Sequence, residues 1–355
     1  MKFIIATGGT GGHIFPALNV ATELKREGHN VHFIGVFGDY KERIGKKGFE
    51  MDEIEAKGFS VEKFWPAVLG MLKSLKMSFR LLRQYKPDGV VGFGGYASFP
   101  VVMAAFFLRI PTLIHEQNVM PGKANIVLSK FVNRIALSFE KSQKFFNSKK
   151  TIVTGYPCHI NMKQINRTEV LSKFGLKEDY FTILVFGGSQ GSHRINLEFS
   201  NAVDLLQEKY SIQAIHCSGK IDYPFLSEEY KKKKIPYCLF EFLDGIESAY
   251  KVADLVISRA GAATISELAR FKVPAILIPY PYAHEHQKEN ALVLQEAKVA
   301  YMLEEKDLSA QKLSEAIVQF FENSPSTPEI EKRLKGIFYP DAMERLVKET
   351  LALAK

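Results

Sequence analysis

Two stretches of this chain repeat one design: a short apolar run, a glycine-rich turn, then a helical pattern. Residues 3–6 lead into Thr7-Gly8-Gly9-Thr10-Gly11-Gly12-His13 and a helix from about Pro16. Residues 183–186 lead into Gly187-Gly188-Ser189-Gln190-Gly191-Ser192 and a helix running through Leu206. A strand that feeds a helix through a tight glycine turn is the opening unit of a doubly wound parallel sheet. Two such units in 355 residues predict two domains. Further β-rich runs continue each series, at 2–6, 31–36, 89–93, 112–115, 134–137 and 151–154, then at 182–186, 213–217, 239–242, 255–258, 275–279 and 300–303. The Gly/Pro stretch 155–159 between them reads as a linker. The expected domains are 1–157 and 158–340, and the expected last helix, 341–355, packs on either.

Composition narrows the class. Hydrophobic residues at 46% and charged residues at 24% exclude a disordered or fibrous chain. Three cysteines without a CxxC pair exclude a disulfide scaffold and a zinc ribbon. The apolar run 3–6 is too short for a signal-peptide core, and the run 99–108 ends at Arg109, short of the roughly 20 residues a bilayer span needs. The expectation is a cytosolic protein or one lying on a membrane. Residues 1–155 hold 22 Lys and Arg against 12 Asp and Glu, and the remaining 200 hold 25 against 27. The first half therefore carries the excess positive charge, which suits a nucleic acid, an anionic membrane or a phosphorylated ligand.

Glycine turns at helix N-termini bring backbone N–H groups to an anion. The dinucleotide fingerprint fails at both turns, because Ile14 stands where the third glycine belongs and Ser189 where the second does. No G-x-x-x-x-G-K-[ST] and no Asp-x-Asp occur, which excludes a P-loop ATPase and the commonest metal–diphosphate clamp. Four further polar clusters fall at expected strand ends, where open α/β sheets bind ligands. They are Gly94-Gly95-Tyr96-Ala97-Ser98, His115-Glu116-Gln117-Asn118, the run 259–267 and the run 284–290. Donors and acceptors in that number suit a sugar.

Thr7–His13, Gly94-Gly95-Tyr96, His115-Glu116-Gln117-Asn118, Gly187–Gly191 and Gly261-Ala262-Ala263-Thr264-Ile265-Ser266-Glu267 together resemble, in order and spacing, the MurG family of bacterial peptidoglycan N-acetylglucosaminyltransferases. The resemblance covers essentially the whole chain. It implies the GT-B fold: α/β, with two doubly wound Rossmann-like domains facing a cleft. It also implies inverting transfer of N-acetylglucosamine from UDP-GlcNAc to the 4-hydroxyl of the muramoyl sugar of lipid I, giving lipid II, with no metal cofactor. By the same resemblance Thr10, Gly11 and Gly12 line the sugar–diphosphate region, Asn118 reaches the donor sugar and Ser189 holds the diphosphate. Uracil sits near Leu243, with Ala262, Ala263, Thr264, Ile265 and Ser266 along the next wall. Glu267 takes both ribose hydroxyls, and Gln287 contacts the donor sugar with His286 close by. The linker departs from the family's Gly-Asn-Pro-Val-Arg: His159 replaces the arginine, so bidentate charge neutralisation is lost there.

Inverting transfer needs a base. His13, with an ordinary imidazole pKa near 6.5, is the expected catalytic residue, with His115 and Glu116 competing. Between 65 and 85 the pattern is helical, with Val68, Leu72, Leu75, Phe79 and Leu82 as one seam and Leu69, Met77 and Leu81 widening it. Trp65 and Leu69, ringed by Lys73, Lys76, Arg80 and Arg83, are expected to dock the first domain on the anionic inner leaflet, making the protein peripheral on the cytoplasmic face of the plasma membrane. Nucleic acid is set aside, because the basic helix carries no reader motif. Rival readings are a diacylglycerol glycosyltransferase, a UDP-GlcNAc epimerase and a non-catalytic UDP-sugar sensor.

Overall fold

The structure, a computed structural model, describes residues 1–55, 64–158, 166–188, 190–282 and 285–354, with side chains at 64–68 outside the description. Two compact units divide the chain: Met1–His159 with Tyr339–Lys355, and Ile160–Phe338.

The first unit holds a seven-stranded sheet of β1 (Lys2–Gly8), β2 (Asn30–Val36), β3 (Glu50–Glu53), β4 (Gly89–Gly92), β5 (Thr112–Glu116), β6 (Arg134–Leu137) and β7 (Thr151–Val153). Its order is β3-β2-β1-β4-β5-β6-β7, and every pair is parallel. Helices α1 (Gly11–Arg26), α2 (Lys41–Lys46), α3 (Phe64–Tyr85), α4 (Gly95–Phe107) and α5 (Lys123–Leu128) belong to it. Parallel strands covered on both faces have no solvent side, which is why Ile4, Ile5, Ala6, Val90 and Val91 are nearly all wholly buried.

The second unit carries β8 (Phe181–Phe186), β9 (Ile212–Cys217), β10 (Tyr237–Phe240), β11 (Leu255–Ser258), β12 (Ala275–Leu277) and β13 (Ala300–Met302), ordered β10-β9-β8-β11-β12-β13 and again parallel. Around it lie α6 (Arg167–Lys173), α7 (His193–Leu206), α8 (Tyr223–Tyr230), α9 (Glu247–Val252), α10 (Ala262–Phe271), α11 (His286–Glu296), α12 (Ala310–Asn323) and α13 (Thr327–Arg333). The last helix, α14 (Ala342–Ala352), places Met343, Leu346 and Val347 in the core that Phe3, Ala17 and Val20 build in the first unit.

Three elements depart from the sequence reading. β3 was absent from it: Glu50-Met51-Asp52-Glu53 has no apolar alternation, and an edge strand needs little. β10 lies two residues earlier than expected, since Pro236 opens it and its pairing runs from Tyr237↔Ala214. α1 begins at Gly11 rather than near Pro16. The Thr10 carbonyl accepts from both His13 N and Ile14 N at 3.1 Å, so the helix is already closed before the proline. His13 therefore stands within its first turn.

α3 keeps Leu75, Phe79 and Leu82 of the expected seam against the core and departs from it at Leu72. Leu72 is 56% exposed, whereas Leu81 and Leu82 are buried. The inward face also carries Ser74 and Ser78, whose hydroxyls donate to Gly70 O and Glu55 O (2.8 and 2.9 Å) and to Ser74 O (2.7 Å). Serines satisfied in this way can be buried at small cost, so polarity misstated the face. Among the described residues, no helix is long and apolar enough to cross a membrane.

Candidate active site

Strand order reverses between β1 and β4 in the first sheet and between β8 and β11 in the second. Crevices outside the strand carboxyl ends at such points are where open α/β sheets take ligands. Both glycine turns lie at these points, one in each unit.

In the first unit β1 delivers Thr10 and Gly12 exposed and Gly11 half-buried at the start of α1, where the Gly11 and Gly12 N–H groups precede the helical ladder. The Thr7 hydroxyl donates to the His13 carbonyl at 3.0 Å. The imidazole of His13, half-buried, lies over the Gly94-Gly95 turn after β4. A Cβ at Gly94 would come within 3.3 Å of its Cε1 and Nδ1, and one at Gly95 within 3.3 Å of its Cδ2. Gly94 also holds φ +79° with ψ −171°, a backbone region essentially confined to glycine. We expect Gly94→Ala to lower the melting temperature and to cut turnover further than its loss of folded protein explains, because the methyl displaces the ring. Unchanged turnover per folded molecule would contradict this.

β5 ends in His115 and Glu116, the two competing bases, and both are buried within structural networks. His115 is fully buried; its Nε2 donates to the Gly155 carbonyl and lies 3.3 Å from the Ser138 hydroxyl as well. Burial pushes its pKa down to about 4, so it stays neutral and holds the linker. The Glu116 carboxylate is 1% exposed and accepts from Asn118 N and Nδ2 (3.0 and 3.3 Å), Gly122 N (3.1 Å) and Asn125 Nδ2 (2.8 Å). It braces the 117–125 loop and so sets Asn118, which stands half-buried with its carbonyl accepting from Ser142 Oγ at 3.0 Å.

In the second unit Gly191 holds φ +78° against the end of β9, where a Cβ would strike the Ser218 carbonyl. The turn thus delivers the chain to the N-terminus of α7. Ser189 lies outside the described residues, as do His159 of the linker and the side chain of Trp65. Arg259, just after β11, opens the polar run 259–267. It ties the crevice together: Nη2 donates to Ser192 Oγ (2.8 Å), Nη1 to the Ile278 carbonyl (3.2 Å), and the guanidinium pairs with Glu305 and lies over the Tyr280 ring.

Glu267, on α10, is half-buried and accepts from the Tyr250 hydroxyl at 2.9 Å. Burial pushes its carboxyl up to about 7, with Tyr250 opposing and Glu247 adding to the rise. Ala263 and Thr264 stand beside it, half-buried, on the same helix. The side chains of Ala262, Ile265 and Ser266 are 8%, 1% and 7% exposed. They pack inward, which leaves Ala263, Thr264 and Glu267 as the more accessible residues of this motif. Leu243 is half-buried in the loop after β10, next to the half-exposed Phe242.

The Gln287 carbonyl oxygen accepts from Ala260 N (3.1 Å) and Tyr280 N (3.0 Å), which pins two loops and leaves its NH2 as the part able to meet a sugar. His286 opens α11 directly after Glu285, whose φ of +65° is strained for a non-glycine residue.

Residues 3–137 match the glycosyltransferase family 28 N-terminal domain, and residues 182–346 its C-terminal domain. The chain is 38% identical, over 100% of its own length and 99% of the relative's, to the "UDP-N-acetylglucosamine--N-acetylmuramyl-(pentapeptide) pyrophosphoryl-undecaprenol N-acetylglucosamine transferase" of Syntrophus aciditrophicus. It is 37% identical to the protein of that name from Bacillus subtilis, over 98% of each chain. The crystal structure of Acinetobacter baumannii MurG superposes with a TM-score of 0.81 at 26% identity, covering 99% of both chains.

Proposed function

Since the chain belongs to glycosyltransferase family 28, and within it to the UDP-N-acetylglucosamine–N-acetylmuramyl-(pentapeptide) pyrophosphoryl-undecaprenol N-acetylglucosamine transferases, we infer that it transfers N-acetylglucosamine from UDP-GlcNAc to lipid I. The product is lipid II. The observation that carries this reading is full-length identity of 37–38% to transferases of that name, joined to a His13 ring held at the β1/β4 switch point. A diacylglycerol acceptor and epimerisation of UDP-GlcNAc have no comparable support. The direct test is transfer of labelled sugar to a short-chain lipid I analogue.

In this reading the second unit binds the donor. Glu267 accepts hydrogen bonds from both ribose hydroxyls, the Ala263–Thr264 edge and Leu243 flank the nucleotide, and the N-terminus of α7 with Ser189 draws the diphosphate. In the first unit His13 Nε2 removes the proton from the muramoyl 4-hydroxyl. The oxygen attacks the anomeric carbon, the bond to the diphosphate breaks, and UDP leaves with inversion. Helix termini and hydroxyls stabilise the departing charge, and no metal takes part.

The acceptor's lipid requires a membrane-facing surface. Leu69, Leu72 and Met77 are exposed on α3, and Phe106 and Phe107 on the end of α4, with Phe107 6.2 Å from Phe79. Lys73, Lys76, Arg80 and Arg83 are exposed on the same helix α3. Apolar side chains among lysines and arginines suit the headgroup boundary of an anionic leaflet, and each base near it adds about 1 kcal/mol. The chain is therefore peripheral on the cytoplasmic face of the membrane. Reversing the charge at Lys73, Lys76, Arg80 and Arg83 is expected to abolish co-sedimentation with anionic liposomes while leaving UDP binding intact. Equal sedimentation, or no preference for anionic over neutral vesicles, would contradict it.

A further inference from the structure

Resting on the reading of His13 as the base, the geometry points to Gln117 as the positioning residue that sets which nitrogen of His13 carries the proton. Gln117 is 2% exposed at the end of β5, 104 positions from His13 in the chain. Its Nε2 donates to the Phe93 carbonyl at 2.9 Å. A backbone carbonyl only accepts, so the amide cannot be turned the other way. Its Oε1 therefore faces His13 Nδ1, at 3.3 Å. That oxygen also only accepts, so Nδ1 is the protonated nitrogen of the neutral ring. Nε2 then holds the lone pair, which is the state a base acting through Nε2 requires. Histidine free in water prefers the opposite tautomer, so this form needs a partner to impose it.

A neutral amide in this place has a second consequence. A carboxylate at Nδ1 would also stabilise the imidazolium and favour the ring's charged form. Gln117 fixes the tautomer without that charge. Among the described residues, α1 offers no acid in its first turn, and β5 brings the buried His115 and the fully engaged Glu116. Gly94 and Gly95 lie close against the ring atoms, so orientation and tautomer are set by separate contacts.

Selective 15N labelling of histidine in the full chain tests this, with the His13 signal assigned by its loss in His13→Ala. Above the ring's titration, the hydrogen is expected on Nδ1. Gln117→Leu should move it towards Nε2 and lower kcat about 10–100-fold with KM for UDP-GlcNAc unchanged. Gln117→Glu keeps an accepting oxygen, so it should retain the Nδ1–H form and shift the acid limb of kcat/KM upward by about one pH unit. A residue that merely filled space would give no such shift, and melting curves establish that each variant is folded. The proposal is overturned by a wild-type proton on Nε2, by Gln117→Leu leaving tautomer and kcat alone, or by an unshifted acid limb in Gln117→Glu. An Nδ1–H ring in a protein whose His13→Ala variant turns over normally would instead remove His13 as base and leave the positioning intact.

Discussion

His13→Ala is expected to lower kcat by about a thousandfold while leaving UDP-GlcNAc binding within about threefold. General-base catalysis by a positioned side chain contributes about 10²–10⁴-fold, and His13 is the one of the three candidate bases left for that task. His115 has no exposed surface, and burial keeps it neutral down to about pH 4. Glu116 already accepts four hydrogen bonds within its own loop. The nucleotide contacts are assigned to the second unit, and His13 belongs to the first, so the loss should fall on kcat alone. His13→Asn, closer in shape, should be as slow. Steady-state kinetics with calorimetric UDP-GlcNAc binding separate the two quantities. A variant that turns over at the wild-type rate would remove the ring from the chemistry.

The second large effect is expected at Glu267. Two hydrogen bonds from ribose hydroxyls to a carboxylate are each worth about 1.5–3 kcal/mol, so Glu267→Ala should weaken UDP-GlcNAc by at least a hundredfold. The pH dependence carries more information. Burial raises the Glu267 pKa to about 7 in the free protein, so near neutrality much of it is protonated. The ionised form accepts both hydroxyls, so binding expels the proton. Affinity should therefore climb as pH rises towards 7, by up to about tenfold per unit below it, and flatten above. The diphosphate diester of UDP-GlcNAc does not titrate in that range, so the slope belongs to the protein. Glu267→Gln should bind weakly with no such slope. Wild-type affinity constant from pH 5.5 to 8 would show that this carboxylate does not take the ribose.

How much of this was legible in the sequence depends on the kind of contact. Both glycine turns and twelve of the thirteen strands among the described residues could be read, because buried parallel strands are written as short apolar runs. β3 could not, since its residues are charged and its place is set by pairing with β2 alone. On α3 Leu75, Phe79 and Leu82 of the expected seam do face the core, but Ser74 and Ser78 share that face, made apolar in effect by hydrogen bonds to carbonyls that sequence does not locate. Ile265 and Ser266 sat in the motif that also holds Glu267, and only helix phase turns them inward. Gln117 and Arg259 were visible as members of polar clusters but had no role, because their partners lie far away: His13 for one, and Ser192 and Glu305 for the other. A polar residue at the switch-point end of a strand was the available signal.

The central claim is that this fold transfers N-acetylglucosamine to a lipid-linked muramoyl sugar. Incubation of the full chain with radiolabelled UDP-GlcNAc and a short-chain lipid I analogue, beside diacylglycerol and a lipid-free control, with and without EDTA, tests it most directly. Label is expected in the lipid I analogue alone, at the same rate with the chelator present. Label in diacylglycerol, or conversion of UDP-GlcNAc to an epimer without lipid, would contradict the assignment, and loss of transfer in EDTA would contradict its metal-free chemistry.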